Sequence, residues 1–151
     1  MEQIKAPNKL KKVNNKTLFL AGSIEMGNAI NWQTRFVEAL VDKDVTIFNP
    51  RRDDWDSSWE QSIHNDKFRE QVEWELRALE KADIIAMYFD AATKSPITLL
   101  ELGLFARSKK LIVCCPQGFW RKGNADVVCA RYKVMIIDTL ENLIDTIRNM
   151  L

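Results

Sequence analysis

The segment Asp83-Ile84-Ile85-Ala86-Met87-Tyr88-Phe89 runs almost without a polar side chain. A strand of this kind has no wet face, so both of its faces need cover. Thr17–Ala21, Val45–Phe48 and Leu111–Cys115 share that character, and Val134–Ile137 makes a fifth candidate strand. Between them lie segments whose apolar residues recur at helical spacing. Ile30 to Val41 gathers Ile30, Phe36, Val37, Leu40 and Val41 roughly on one side. Asp66 to Lys81 repeats Phe68, Val72, Leu76 and Leu79, which predicts that stripe as its buried face. Pro96 to Ser108 and Leu140 to Met150 read as two further helices. Residues 116–130 read as a loop with at most a short helix. Strands alternating with helices in this way predict a parallel sheet covered on both sides. The expectation is one doubly wound α/β domain with a five-stranded parallel sheet, spanning residues 16–151.

Residues 1–15 read differently. Residues 1–16 carry five Lys and one Glu, while the whole chain has a formal net charge of only +1. Pro7 and Asn14-Asn15 argue against an early regular element. This segment is expected to be a flexible basic arm. The remainder is slightly acidic, which disfavours nucleic acid as a partner. No apolar run is long enough to cross a membrane, and the start MEQIKAPNKLKK has no apolar stretch of signal type. A cytoplasmic location is the expectation. Cys114, Cys115 and Cys129 are an odd, clustered set, which reads as buried filler rather than a disulfide framework. One histidine, His64, and no CxxC spacing give no metal site, so no metal is expected.

In a doubly wound sheet the site lies beyond the carboxyl ends of the strands. Those ends are Gly22-Ser23, Asn49–Asp54, Asp90–Ser95 and Pro116–Asn124. The first loop reads GSIEMG, which is neither the GxGxxG dinucleotide fingerprint nor a Walker A loop, so no cofactor is expected. Its glycines serve a tight turn or a close ligand. Ser95-Pro96 is a strong helix start, with Ser as cap and Pro at the first helical position. The alternative is that the Ser95 hydroxyl holds a substrate hydroxyl or phosphate. Glu101 stands in the apolar run ITLLELGLFA, either on a narrow wet stripe or in a pocket, and Thr98 shares its helix face. Glu75 lies on the flank of its helix's apolar stripe. Taken alone it reads as a surface residue. Two carboxylates converging on one pocket can divide a glycosyl transfer between nucleophile and acid. The loop after residue 50 offers Arg51, Arg52, Asp53, Asp54, Trp55 and Trp59, a set suited to stacking on a base, to a lid or to a subunit contact. His64 reads as exposed.

With GSIEMG, PRRxxW, the strand beginning Ala82-Asp83 and Leu100-Glu101-Leu102-Gly103 in place, the chain resembles the nucleoside 2-deoxyribosyltransferase family over residues 16–137. The resemblance implies that Glu101 is the nucleophile and Glu75 the acid that assists the departing base. It implies that Gly22 and Ser23 line the sugar side and that Asp54 and Trp55 contact the base. Asn124 resembles an asparagine that completes a neighbouring subunit's site, which implies a homo-oligomer. The implied partners are a nucleoside and a free nucleobase, and the implied role is nucleotide salvage.

Two departures from the family pattern carry information. Classical members place Asp six residues before the nucleophile, where this chain has Ser95. Members that hydrolyse nucleoside monophosphates also carry Ser there, and a serine spares a phosphate the repulsion of an aspartate. Phe19 stands near the family's tyrosine and has no hydroxyl to position Glu101. The expected function is exchange of the nucleobase on a 2-deoxyribonucleoside through a covalent glycosyl-glutamate. The alternatives are an N-glycoside hydrolase of nucleosides or their 5′-monophosphates, and a non-catalytic nucleotide-sensing module.

Overall fold

The structure is a computed structural model and describes residues 1–24 and 31–151. Its strands are β1 (Glu2–Lys5), β2 (Lys16–Gly22), β3 (Val45–Asn49), β4 (Ile84–Tyr88), β5 (Leu111–Cys114) and β6 (Met135–Ile137). Its helices are α1 (Trp32–Ala39), α2 (Asp66–Lys81), α3 (Pro96–Phe105), α4 (Lys122–Tyr132) and α5 (Leu140–Met150). The strands form one sheet in the order β1-β3-β2-β4-β5-β6, and every pairing is parallel. Alternation along β2 divides the core. Leu18 and Leu20 point to Trp32, Phe36, Leu143 and Ile147 of α1 and α5. Phe19 and Ala21 point to Trp74, Ala78, Leu79 and Leu102 of α2 and α3. The doubly wound reading therefore stands.

Three readings are corrected. The sheet has six strands rather than five, because Glu2–Lys5 pairs with β3 from Glu2↔Thr46 to Lys5↔Asn49. This strand lies within the segment read as an arm without an early regular element. It is short, polar and at the sheet edge, where only Ile4 is buried, so its sequence carries almost no hydrophobic signal. Residues 116–130 do not form mainly a loop, since α4 runs for 11 residues from Lys122. Only Ala125 and Cys129 of that helix are buried, and both are small. The buried face of α2 is Gln71, Trp74, Ala78 and Leu79, while Val72 is exposed. A single tryptophan decides that rotation, since burying Trp74 removes more apolar area than burying Val72. The helix predicted from Ile30 begins at Trp32, and residues 25–30, including the second half of GSIEMG, lie outside the described residues.

The chain leaves β2 through α1 to β3, then returns over the opposite face through α2 to β4 on the other side of β2. The ends of β2 and β4 thus open into the crevice expected at such a reversal. Register places Gly22 opposite Tyr88, so Ser23 and Asp90 meet at its floor. Gly22 has φ +146°, and a methyl group there would overlap the Tyr88 carbonyl.

Candidate active site

Hydrogen bonds from several elements set Ser23 at the end of β2. Its N–H donates to the Tyr88 carbonyl at 3.0 Å, and its carbonyl accepts from Trp32 Nε1 at 3.1 Å. Its Oγ accepts from the Asp90 N–H at 2.9 Å and from Thr93 Oγ1 at 3.1 Å. The Ser23 and Ser95 hydroxyls are in direct contact, and Thr93 Oγ1 lies 2.7 Å from Ser95 Oγ. Three hydroxyls thus line one end of the crevice.

Ser95 precedes Pro96 at the start of α3, as the sequence predicts, but its hydroxyl makes no cap bond to that helix. Its φ of 46° is left-handed, a conformation a non-glycine residue adopts at some cost, and it turns the side chain into the hydroxyl cluster. Of the two readings for Ser95, the geometry keeps the polar group at the crevice.

Helix α3 is inverted relative to an ordinary surface helix. Thr98 and Glu101 face inward, 4% and 8% exposed. Ile97, Leu100 and Leu104 face outward, each more than half exposed. Glu101 is therefore a buried carboxylate, not one on a wet stripe. Among the described residues no hydrogen bond reaches its carboxylate. Burial, with the negative charge of Glu75 added, pushes its pKa up to about 8. Phe19, buried against Trp74, supplies no hydroxyl.

Glu75 approaches from α2. It is half-buried, and burial pushes its carboxyl up to about 7, while a hydrogen bond from Gln71 opposes the rise. Gln71 Nε2 donates to Glu75 Oε1 and to the Pro50 carbonyl, each at 2.8 Å. The second bond ties α2 to the end of β3. Gln71 was not among the residues read as functional. Its position at (i, i−4) from Glu75 carried the signal, once Trp74 rather than Val72 marks the inner face.

Asp54 and Trp55 are organised by a neighbour. Arg52 is buried, and its guanidinium holds Asp54 through two bonds, 2.7 and 3.1 Å, and Glu70 at 3.1 Å. The same guanidinium lies 5.1 Å from the Trp59 ring, and Trp55 packs edge-on to Trp59. The Trp55 Nε1 is buried with no acceptor among the described residues. Asn124 is exposed in the first turn of α4, and His64 is exposed as expected. The structure thus joins Gly22, Ser23 and Ser95 at one end of the crevice and couples Glu75 to Glu101. Asp54 is engaged with Arg52, and Asn124 faces outward.

Among the described residues, no three His, Cys, Asp or Glu side chains converge in a way that would hold a metal ion, and no helix is long and apolar enough to cross a membrane.

No curated protein matches the chain. Among solved structures, the chain is similar to a conserved protein from Enterococcus faecalis V583, with a TM-score of 0.63 at 13% identity. That match covers 91% of this chain and 100% of the other, and it concerns the fold alone. The model of one protein family, described as nucleoside 2-deoxyribosyltransferase like, matches residues 15–119, a span that holds Ser23, Glu75, Ser95 and Glu101. The chain therefore belongs to the nucleoside 2-deoxyribosyltransferase-like family.

Proposed function

We propose that the protein exchanges the nucleobase of a 2-deoxyribonucleoside through a covalent glycosyl-Glu101. The observation that carries this reading is the pair of carboxyls that burial raises, Glu101 and Glu75, on helices α3 and α2 of the same side of the sheet. A carboxylate oxygen of Glu101 attacks C1′, and the bond from C1′ to the base nitrogen breaks. The base takes that electron pair, and Glu75 gives a proton to a ring nitrogen of the departing base. An incoming base then attacks C1′, the Glu101 oxygen leaves as carboxylate, and the second base returns its proton to Glu75. Two inversions give net retention. The working state has Glu101 ionised and Glu75 protonated; both carboxyls are raised toward neutral pH, and because Glu101 is raised further than Glu75, this is the minor of the two singly protonated forms of the pair.

Ser23, Thr93 and Ser95 hold the sugar in this reading, with Gly22 letting β2 and β4 come close enough to build that end. Trp55 supplies a flat apolar face for the base. The outward row Ile97, Leu100 and Leu104 supports self-association of the chain. Asn124 shares a face of α4 with the exposed Val127, three residues on, and α4 packs against α3, so Asn124 would reach a second copy's site.

A second reading, hydrolysis of a nucleoside 5′-monophosphate, is favoured by the three hydroxyls of Ser23, Thr93 and Ser95 gathered at one end of the crevice. Incubation of the protein with deoxyinosine and adenine tests both. Deoxyadenosine formed only with adenine present supports exchange. Free base released from deoxyinosine monophosphate, faster than from deoxyinosine and without an acceptor effect, supports hydrolysis. No exchange from deoxyinosine or from deoxyadenosine, and no free base released, overturns both.

A further inference from the structure

Gln71 is 5% exposed, and its amide is used unevenly. The Pro50 carbonyl can only accept a hydrogen bond, so the group 2.8 Å from it is the amide nitrogen, which fixes the side chain's orientation. The second hydrogen of that nitrogen goes to Glu75 Oε1. The Oε1 of Gln71 is then left buried with no donor among the described residues. A buried acceptor without a donor is costly to the fold, so it asks for a partner. Tying α2 to the end of β3 accounts for the nitrogen but not for the oxygen. The oxygen sits in the same amide plane that contacts the Glu75 carboxyl. Because Glu75 Oε1 already accepts from Gln71, a proton on this carboxyl is carried by Oε2. The pair therefore holds an unpartnered acceptor, Gln71 Oε1, and a donor, the Glu75 O–H, within one buried hydrogen-bonded unit.

This inference rests on the proposed function and specifies its substrate. We propose that Gln71 and Glu75 select bases with an exocyclic amino group next to a ring nitrogen, as on a 6-aminopurine or 4-aminopyrimidine. The amino group donates to Gln71 Oε1, and the ring nitrogen accepts from Glu75. A 6-oxopurine places a carbonyl oxygen against Gln71 Oε1, two acceptors face to face. Desolvated mispairing of this kind discriminates strongly, whereas a mere change of size does not. Gln71 is the specificity-determining residue, and Glu75 keeps its role in proton transfer.

Deoxyadenosine and deoxyinosine test this, since they differ at C6 by an amino group against an oxo group. With one common acceptor base, kcat/KM for deoxyadenosine is expected to exceed that for deoxyinosine by at least about tenfold. Gln71→Met keeps the side chain's length and removes both hydrogen-bonding groups, and the ratio is expected to fall to within about threefold. The wild-type ratio decides by itself should that variant fail to fold. Exchange on both donors at equal rates, or faster on deoxyinosine, overturns the inference and leaves the proposed function standing, as does a preference that survives Gln71→Met. Exchange on neither donor overturns the proposed function. Calorimetric binding of free adenine and hypoxanthine then decides the inference: adenine tighter by about tenfold supports it, and equal or absent binding overturns it.

Discussion

Glu101 sets a conflict between stability and activity at a single residue. Its pKa is raised above the unfolded value, so the folded protein binds more protons than the unfolded chain between about pH 4.5 and 8. Stability at this site therefore falls as pH rises through that window. Glu101→Gln removes the penalty. The variant is expected to be more stable at pH 7 by roughly 2 kcal/mol, with the difference vanishing near pH 4.5. Urea unfolding at the two pH values checks both the sign and the convergence. The same variant is expected to lose exchange by at least about a thousandfold, because an amide cannot take the place of the attacking carboxylate. The pH dependence of turnover follows from the pair. Below about pH 6 both carboxyls are protonated and the nucleophile is lost. Above about pH 9 both are ionised and the departing base receives no proton. A bell with its maximum between about pH 7 and 8 is expected for kcat/KM in the wild type, and Glu75→Gln is expected to flatten one limb.

Elements decide how these residues come together, and here the sequence was read unevenly. Strands β2 to β6 are legible as continuous apolar runs, helices α1, α2 and α5 from their apolar spacing, and α3 from its Ser95-Pro96 start. The edge strand β1 was not, since one buried Ile4 in four residues has no period. Helix α4 was hidden because small residues, Ala125 and Cys129, form its whole buried face. The rotation of α2 was misjudged because Val72 and Leu76 fit a stripe as well as Trp74 and Ala78 do. That error concealed Gln71. Glu101 was open to two readings in the sequence, and the inverted amphipathicity of α3 settles it. The loop after β3 is held by Arg52, an element-scale anchor that the charge pattern RRDD did not single out. Arg52→Met removes the hydrogen bonds to Asp54 and Glu70 and the contact with Trp59. A loss of about 1–3 kcal/mol in stability is expected, with a rise in KM larger than the fall in kcat, because the loop rather than the carboxyl pair is disturbed. Thermal melts and steady-state kinetics on one preparation separate the two effects.

At the scale of the molecule, the sheet reversal beside β2 puts the hydroxyls of β2 and β4 at one mouth, and α2 and α3 bring the carboxyls from the same side of the sheet. Helix α3 buries Thr98, Glu101 and Leu102 and leaves Ile97, Leu100 and Leu104 facing outward. Leu100→Lys is expected to reduce the oligomeric state without unfolding the chain, read by sedimentation velocity, and to lower activity if Asn124 completes a second copy's site. Asn124→Ala is then expected to lower activity while leaving the oligomer intact.

The central claim is a bond between Glu101 and the sugar. Intact-protein mass spectrometry on the protein incubated with a 2′-fluoro-2′-deoxynucleoside, whose fluorine slows the second step, followed by peptide mapping, tests it most directly. The account predicts a single added fluorodeoxyribosyl group on the peptide containing Glu101, absent in Glu101→Gln. Base exchange proceeding with no such adduct, or an adduct on another residue, would contradict it.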